Sequence, residues 1–408
     1  MNGTIKTILS VFALSAVAAS AARGGARLEF GDGSLIDLGF RLQFMVVQSQ
    51  DDLDGDGAFE NVQDFVLRRG RFRLSGLVNE KLSCFLQTAI NGATDEVGPT
   101  MRMTDARIEY ATHPGARFFL GLHKAPTSRQ ELTSAAARLA IDRPGLAGKC
   151  LNRGADVLTV FANATYEPGG SGLRGEEGAR DMGVTLFGTG ALAADVHLKY
   201  YLGVYDGIQA AGADAERYAG RVQLNFGDAE EAFSVSSYYL GGKNTVGLGL
   251  SYDTQQSVAA DAGGGTVDYA MLAADVFLEK PLGGGTLTVE GGYTALDFGG
   301  AVRLVTPAAA PAPAVTLDLR RSQGGGFYAQ ASYLLGGSWQ PWVEYESWTS
   351  DAADGTGGYT SLRLGLSYFA QGHNANLKLG VERFTPEIPF SAVEDGLTSA
   401  VCGVFLAY

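Results

Sequence analysis

Apolar and polar positions alternate along the chain from residue 35 to the C-terminus. Residues 34–48 illustrate the pattern, with one face made of Ile36, Leu38, Phe40, Leu42, Phe44 and Val46 and the other of Asp37, Gly39, Arg41 and Gln43. A period of two indicates β-strands, and no long helical period competes with it. Segments of about ten residues with one apolar and one polar or small face are typical of outer-membrane barrels. The pattern therefore predicts an all-β fold, a transmembrane antiparallel β-barrel.

The connections favour this barrel over a soluble β-sandwich or β-solenoid, which would also alternate. Tight turns, such as 79–80, 113–115 and 188–190, alternate with long connections, such as 49–62, 124–180 and 299–324. Short turns at one end and long loops at the other are usual in membrane barrels. A first count gives about seventeen strands, and sixteen remain if residues 232–242 belong to a connection. Sixteen is preferred because bacterial single-chain barrels have even strand numbers.

The N-terminus predicts export. Lys6 supplies a positive charge, residues 8–19 form an apolar core and residues 19–21 a small-residue cleavage site, so residues 1–21 fit a signal peptide. Residues 22–33 then form a short lead-in, and residues 34–408 the barrel. The net charge of −13 argues against a nucleic-acid partner. The three cysteines have no metal-binding spacing and predict neither a disulfide framework nor a zinc site.

Four arginines lie within DFVLRRGRFRLSG, residues 64–76. On a strand, Arg69, Arg71 and Arg73 share one face, and Val66 lies on the other. An arginine on the lipid face of a barrel costs about 2–4 kcal/mol at the midplane. The three arginines are therefore predicted to face a water-filled lumen, while Arg68 is expected near the outer end of the strand.

The same parity turns Arg107 and Arg117 into the lumen. The second to fifth predicted strands would then form a basic wall, opposite a more acidic wall with Glu290, Glu344, Glu346 and Glu382. A field across such a pore favours polar or anionic solutes near the basic side. The alternative, that the arginines are merely solvated or paired with carboxylates of the lumen, fits the sequence equally well.

Two further patterns carry candidate chemistry. Asp52, Asp54 and Asp56 have the spacing of a calcium loop, but Gln63 stands where such loops carry Glu, and no helices flank it. A solvated acidic turn fits better, the weaker alternative being a surface cation that bridges to lipopolysaccharide. The four histidines join no catalytic motif. We therefore expect neither enzymatic activity nor a cofactor.

Several segments, in order along the chain, resemble the phosphate-selective porin O/P family. They are DFVLRRGRFRLSG (64–76), GLHKAPTSRQELTSAAARLAIDRPG (121–145), RDMGVTLFG (180–188), YYLGVYDG (200–207), GGGFYAQASYLLGGSWQPWVEYESW (324–348) and YTSLRLGLSYFAQGHNANLKLGVER (359–383). The resemblance implies a sixteen-stranded outer-membrane porin, typically trimeric, whose long third loop folds into the barrel and narrows the pore.

In this sequence that loop would start at Lys124 and carry Arg129, Arg138 and Arg143. Family members that bind phosphate line their constriction with Arg and Lys, so the resemblance makes Lys124 and the row Arg69, Arg71 and Arg73 the counterparts here. Residues 144–180 depart from the family pattern as an insertion. The last residues, GVFLAY, resemble the signal by which outer-membrane proteins are recognised for assembly.

The sequence thus predicts a passive diffusion channel of the bacterial outer membrane for small hydrophilic solutes, with anions such as phosphate the favoured specific case. The expected partners are outer-membrane lipid, lipopolysaccharide and two further copies of the chain. The alternative is a structural or docking barrel, the membrane component of a larger complex, for which the 144–180 insertion and the irregular connection at 228–243 are the hints.

Overall fold

The computed structural model describes residues 25–31, 33–51, 58–91, 100–148, 180–207, 215–260, 265–299, 304–306, 315–317, 323–353, 355, 357–389 and 395–408. The predicted signal peptide, the candidate calcium residues Asp52, Asp54 and Asp56, and most of the predicted insertion lie outside these residues. Among the described residues, no helix is both long enough and apolar enough to cross a membrane.

Sixteen antiparallel strands form one closed barrel, as the alternation predicted. They are β2 (Leu35–Asp51), β3 (Glu60–Asn79), β4 (Leu82–Asn91), β5 (Thr100–His113), β6 (Ala116–Lys124), β7 (Arg180–Ala193), β8 (Val196–Tyr205), β9 (Arg217–Gly227), β10 (Thr245–Ala260), β11 (Thr266–Leu282), β12 (Gly285–Asp297), β15 (Gly324–Leu334), β16 (Trp339–Ser350), β17 (Tyr359–Gln371), β18 (Ala375–Pro386) and β19 (Leu397–Ala407). The last strand pairs with the first, with Ala407 opposite Arg41 and Ala400 opposite Gln48. Closure leaves no barrel edge unpaired, which a membrane requires.

Within the described part of the chain, three short strands lie outside this ring. β13 (Leu304–Thr306) and β14 (Val315–Leu317) pair with each other between β12 and β15. β1 (Ala26–Glu29) pairs with the start of β2, where Arg27 and Asp37 form an ion pair of 2.7 Å. The sequence had indicated only a lead-in at residues 22–33, because four residues are too few to show a period.

The alternation separates a lipid-type exterior from a polar interior. In β10, Leu248, Leu250 and Tyr252 are about half exposed on the outside, whereas Ser251 and Asp253 are buried inside. An apolar exterior band with a polar lumen is the arrangement of an outer-membrane barrel.

The turns follow the predicted rhythm with one exception. β7 continues through residues 188–190, and the turn to β8 lies at residues 194–195. The prediction of a turn at 188–190 was wrong because Gly188 serves a close approach: a Cβ there would lie 2.1 Å from the carbonyl oxygen of Gly115. Residues 232–242 do form part of a connection, between β9 and β10, as the even strand count required.

A β-bulge changes the predicted parity of β3. Gln43 of β2 lies opposite Arg69, but the next residue, Phe44, lies opposite Leu67, so Arg68 is the extra residue. A bulge shifts every side chain before it to the other face. The predictions for Val66 and Arg68 were therefore wrong. Val66 is buried in the lumen beside Met45, and Arg68 turns inward as well.

Candidate functional site

The connection from β6 to β7 folds into the lumen. Its described part, residues 125–148, is called here the loop arm; it contains a one-turn helix, α1 (Arg129–Leu132), and a 3-10 turn (Gly145–Gly148). The side-chain oxygen of Ser128 accepts a hydrogen bond from the backbone N–H of Glu131 (3.1 Å), which caps α1. Leu139, Ala140 and Ile141 pack against Trp342 and Phe405 of the barrel wall, so burial of apolar surface holds the arm inside.

A second segment enters the lumen from the opposite end. Residues 228–244, called here the inner segment, connect β9 to β10 and therefore start from the end of the short turns, because antiparallel strands alternate in direction. Backbone hydrogen bonds join the two segments: Ser134 N–H donates to the Val235 carbonyl (3.0 Å), and Ser237 N–H donates to the Ala137 carbonyl (2.9 Å). The centre of the barrel is thus occupied by the chain itself.

An ion pair fastens the loop arm to the inner segment. Both terminal nitrogens of Arg129 donate to Glu230, at 2.9 and 2.8 Å, and both side chains are almost completely buried. Arg129 also donates to the Ser236 carbonyl (2.8 Å), and its guanidinium lies 3.9 Å from the ring centre of Phe277. Burial alone would favour the neutral acid, but the guanidinium of Arg129 lowers the pKa of Glu230 to about 2. This carboxylate is therefore charged at neutral pH.

The predicted acidic wall does not face open water. Arg363 forms ion pairs with Glu344, Glu346 (3.0 Å) and Glu382 (2.8 Å), and Glu290 lies 3.5 Å from Arg129. All four glutamates are buried. The alternative in which lumen charges pair with one another therefore holds for this half of the barrel. The arginines of the loop arm also have acidic partners: Arg143 pairs with Glu131, and Arg138 shares Asp142 with Arg68 and Arg69.

The opposite half contains an open chamber of about 300 Å³ between the wall of β2 to β7, the loop arm and the inner segment. Six of its lining residues are basic: Arg41, Arg71, Arg73, Arg107, Lys124 and Arg180. Among the described residues that line it, Asp105 is the only acidic one. Its carboxylate lies 3.6 Å from Arg107 and 3.4 Å from Arg180 and accepts a hydrogen bond from Gln87 (2.9 Å). The chamber is therefore strongly positive although the chain is acidic.

Aromatic rings share the chamber with these charges. Phe85 and Phe233 line it, and the guanidinium of Arg107 lies between Phe85 (4.4 Å) and Phe119 (4.5 Å). Arg73 lies 5.5 Å from the ring centre of Phe85. Such contacts are favourable cation–π geometries, and they fix the position of both guanidiniums.

Four of the six basic residues predicted to line the pore reach this chamber, namely Arg71, Arg73, Arg107 and Lys124. The ammonium of Lys124 is engaged by the loop arm, since it donates to the carbonyls of Glu131 and Thr133 (3.0 Å to the latter).

The other two predicted residues have different surroundings. Arg69 is fully buried between Gln43 (2.7 Å) and Asp142 (3.1 Å) and holds the loop arm against β3. Arg117 pairs with Glu109 and lies over Phe187 at 4.8 Å.

The sequence did not single out Arg41 or Arg180 as site residues. Arg41 gave a signal, because it lies on the polar face of its strand, and the structure places it directly opposite Arg71. Arg180 has no such signal in the sequence, because it directly follows the long connection of loop 3, where no alternation of apolar and polar residues indicates the orientation of its side chain.

Residues 40–169 match the family model "Phosphate-selective porin O and P", which confirms the suspected resemblance. No curated protein sequence matches the chain. The solved structures similar to it include an anion-selective porin from Comamonas acidovorans, with 13% identity and a TM-score of 0.57 over 92% of this chain and 100% of that one. The family match and the closed barrel together support a porin of the bacterial outer membrane.

Two further similar structures have the same barrel fold. One is OmpF of Salmonella typhi in complex with daunomycin, with 11% identity and a TM-score of 0.52 over 94% of this chain and 100% of that one. The other is the outer-membrane channel DcaP of Acinetobacter baumannii, also with 11% identity and a TM-score of 0.52, over 95% and 100%. At these identities the similarity shows the fold alone.

Proposed function

We propose that the protein is a passive diffusion channel that favours anions, with phosphate or a related oxyanion as the preferred solute, and that it performs no chemistry. The observation that carries this proposal is the chamber, where six basic side chains surround one carboxylate beside the loop arm. Cations clustered at a narrow, low-dielectric passage raise the local concentration of anions.

The state of the guanidiniums supports transit rather than permanent capture. Asp105 lies beside Arg107 and offsets part of the positive charge. A conducting site must attract the ion yet release it. A carboxylate among the guanidiniums lowers the affinity for anions and so favours their release.

The docking alternative expects a lumen that a partner can enter. Here the loop arm and the inner segment occupy the centre of the barrel and are joined by backbone hydrogen bonds. This arrangement favours a channel with an internal constriction. We also propose, from the family resemblance, a homotrimer surrounded by outer-membrane lipid and lipopolysaccharide, with the basic row and Lys124 as the anion path, Arg69 and Arg117 acting on it indirectly.

The test is the reversal potential of single channels in a planar bilayer under a KCl gradient, repeated with millimolar phosphate on one side. We expect a reversal potential that shows chloride to be more permeant than potassium, and a block of chloride current by phosphate. The double variant Arg71→Gln/Arg73→Gln should lose most of this preference. Arg383→Gln, at an exposed ion pair with Asp395, is the matched control and should behave as the wild type. Cation selectivity of the wild type would refute the anion path, and absence of conductance would favour the docking barrel.

A further inference from the structure

Phe85 is an unusual side chain for a path of inorganic ions. It lies on β4 with its ring in the lumen, half buried, while its neighbour Leu86 faces outward with 40% of its surface exposed. Apolar surface left in contact with water costs about 25 cal/mol per Å². A small, strongly hydrated oxyanion gains nothing from such a ring.

The ring stands directly beside the charges of the chamber. Arg107 and Arg73 lie 4.4 and 5.5 Å from its centre, and Phe233 of the inner segment lines the same chamber. A solute whose anionic group reaches these guanidiniums would therefore place any attached apolar group against Phe85 or Phe233. Aromatic rings that meet in offset or edge-to-face geometry gain about 0.5–1.5 kcal/mol beyond the burial of their area.

The size of the chamber is consistent with a larger solute. Its volume of about 300 Å³ is at the lower end of the range of roughly 300–1,000 Å³ found for sites of small organic ligands. One inorganic oxyanion would leave most of it filled by water.

We propose that this chamber is a binding site for organic anions that carry a planar apolar group, such as aryl phosphates and aromatic carboxylates. The anionic group is held by Arg73 and Arg107, and the ring contacts Phe85 and Phe233. This inference rests on the proposed anion path and specifies which anions it prefers.

The test compares phenyl phosphate with inorganic phosphate as blockers of chloride current through single channels of the full-length protein. We expect phenyl phosphate to block the wild type at a concentration about tenfold lower, and benzoate to block better than acetate by a similar factor. In Phe85→Leu, which keeps an apolar side chain but removes the ring, the tenfold preference should shrink to less than threefold while the block by inorganic phosphate persists. Phe72→Leu, on the outer face with 58% of Phe72 exposed, is the matched control and should keep the full preference.

The outcomes separate this inference from the proposed function. If both phosphates block the wild type equally, the aromatic site is refuted and the anion path stands, a result that needs no variant to fold. If neither blocks and the channel shows no anion preference, both proposals fail together. If Phe85→Leu keeps the tenfold preference, the rings serve only to position Arg107, and the assignment of Phe85 is overturned. Equal block by phenyl and cyclohexyl phosphate would overturn the requirement for a planar group.

Discussion

Replacement of Arg129 by Met is expected to release the loop arm from the inner segment. Arg129 is the charged side chain of α1 that joins the two, with two hydrogen bonds to Glu230 and one to the Ser236 carbonyl. Met keeps an unbranched apolar stem over Phe277, so the substitution removes mainly the charge and its hydrogen bonds. It also leaves Glu230 buried without its principal counter-charge.

The size of the effect follows from the burial of the pair. Removal of one partner of a buried ion pair costs about 3–5 kcal/mol, and 1.4 kcal/mol corresponds to a factor of ten. The docked state of the arm should therefore lose roughly two to three and a half powers of ten in population. Each backbone hydrogen bond between the arm and the inner segment contributes only about 1 kcal/mol. These bonds cannot replace the pair.

Single-channel recording measures this release directly. If the arm leaves its docked position, the mean conductance and the open-channel noise of Arg129→Met should rise. In SDS gels, the temperature at which the folded barrel converts to the slower-migrating unfolded form should fall. Arg129→Met/Glu230→Gln/Glu290→Gln should recover much of the wild-type behaviour, because both buried carboxylates that pair with Arg129 are then uncharged. Arg383→Met is the matched control at an exposed pair, where at most about 1 kcal/mol is at stake. Wild-type noise and thermal stability in Arg129→Met would refute the reasoning.

Two further predictions test other parts of the fold. Arg129 lowers the pKa of Glu230 to about 2 from an unperturbed 4.5, so the stabilisation by this pair should be complete above pH 4.5 and lost as the pH falls from 4.5 through about 2. Channel noise should therefore rise on acidification. Noise that rises only above neutral pH would contradict this direction of the pH dependence. Gly188→Ala should lower the stability of the barrel by about 1–3 kcal/mol, because its Cβ would lie 2.1 Å from the Gly115 carbonyl oxygen. The loss should appear as a lower melting temperature in SDS gels. Gly190→Ala, where a Cβ meets nothing within 4 Å, is the control, and equal melting of the two variants would show that the close approach is unimportant.

The barrel could be predicted from the sequence because its constraints are local and repeated. Each strand must keep one face apolar, so alternation marks strand after strand, and closure makes the count even. That argument turned Arg71, Arg73 and Arg107 inward from their position alone, and the structure places all three at the chamber. It also removed residues 232–242 from the strands.

The features that were mispredicted depend on single residues or on distant partners. One extra residue at Arg68 reverses the parity of β3 toward the long-loop end, and nothing in DFVLRRGRFRLSG marks where the bulge falls. The role of Arg69 requires knowledge of Asp142, which lies 73 residues away in the loop arm. Irregular segments carry no period, so the paths of the loop arm and the inner segment through the lumen were not predictable from alternation.

The loop arm and the inner segment also explain how an acidic chain can form a basic chamber. The net charge of −13 describes the whole molecule, whereas a permeating ion responds to the charges within about one Debye length, roughly 8 Å at physiological ionic strength. In one half of the lumen the buried glutamates form ion pairs with Arg363 and Arg129, and the loop arm packs against them, with the Leu146 N–H donating to Glu346 (3.0 Å). The wall of β2 to β7 is left as the charged surface of the open chamber, and Asp105 is the one acidic residue among the described residues that line the chamber. For the proposed anion path, selectivity depends on which side chains the loop arm leaves uncovered, and a variant that displaces the arm should weaken the expected anion preference as well as widen the passage.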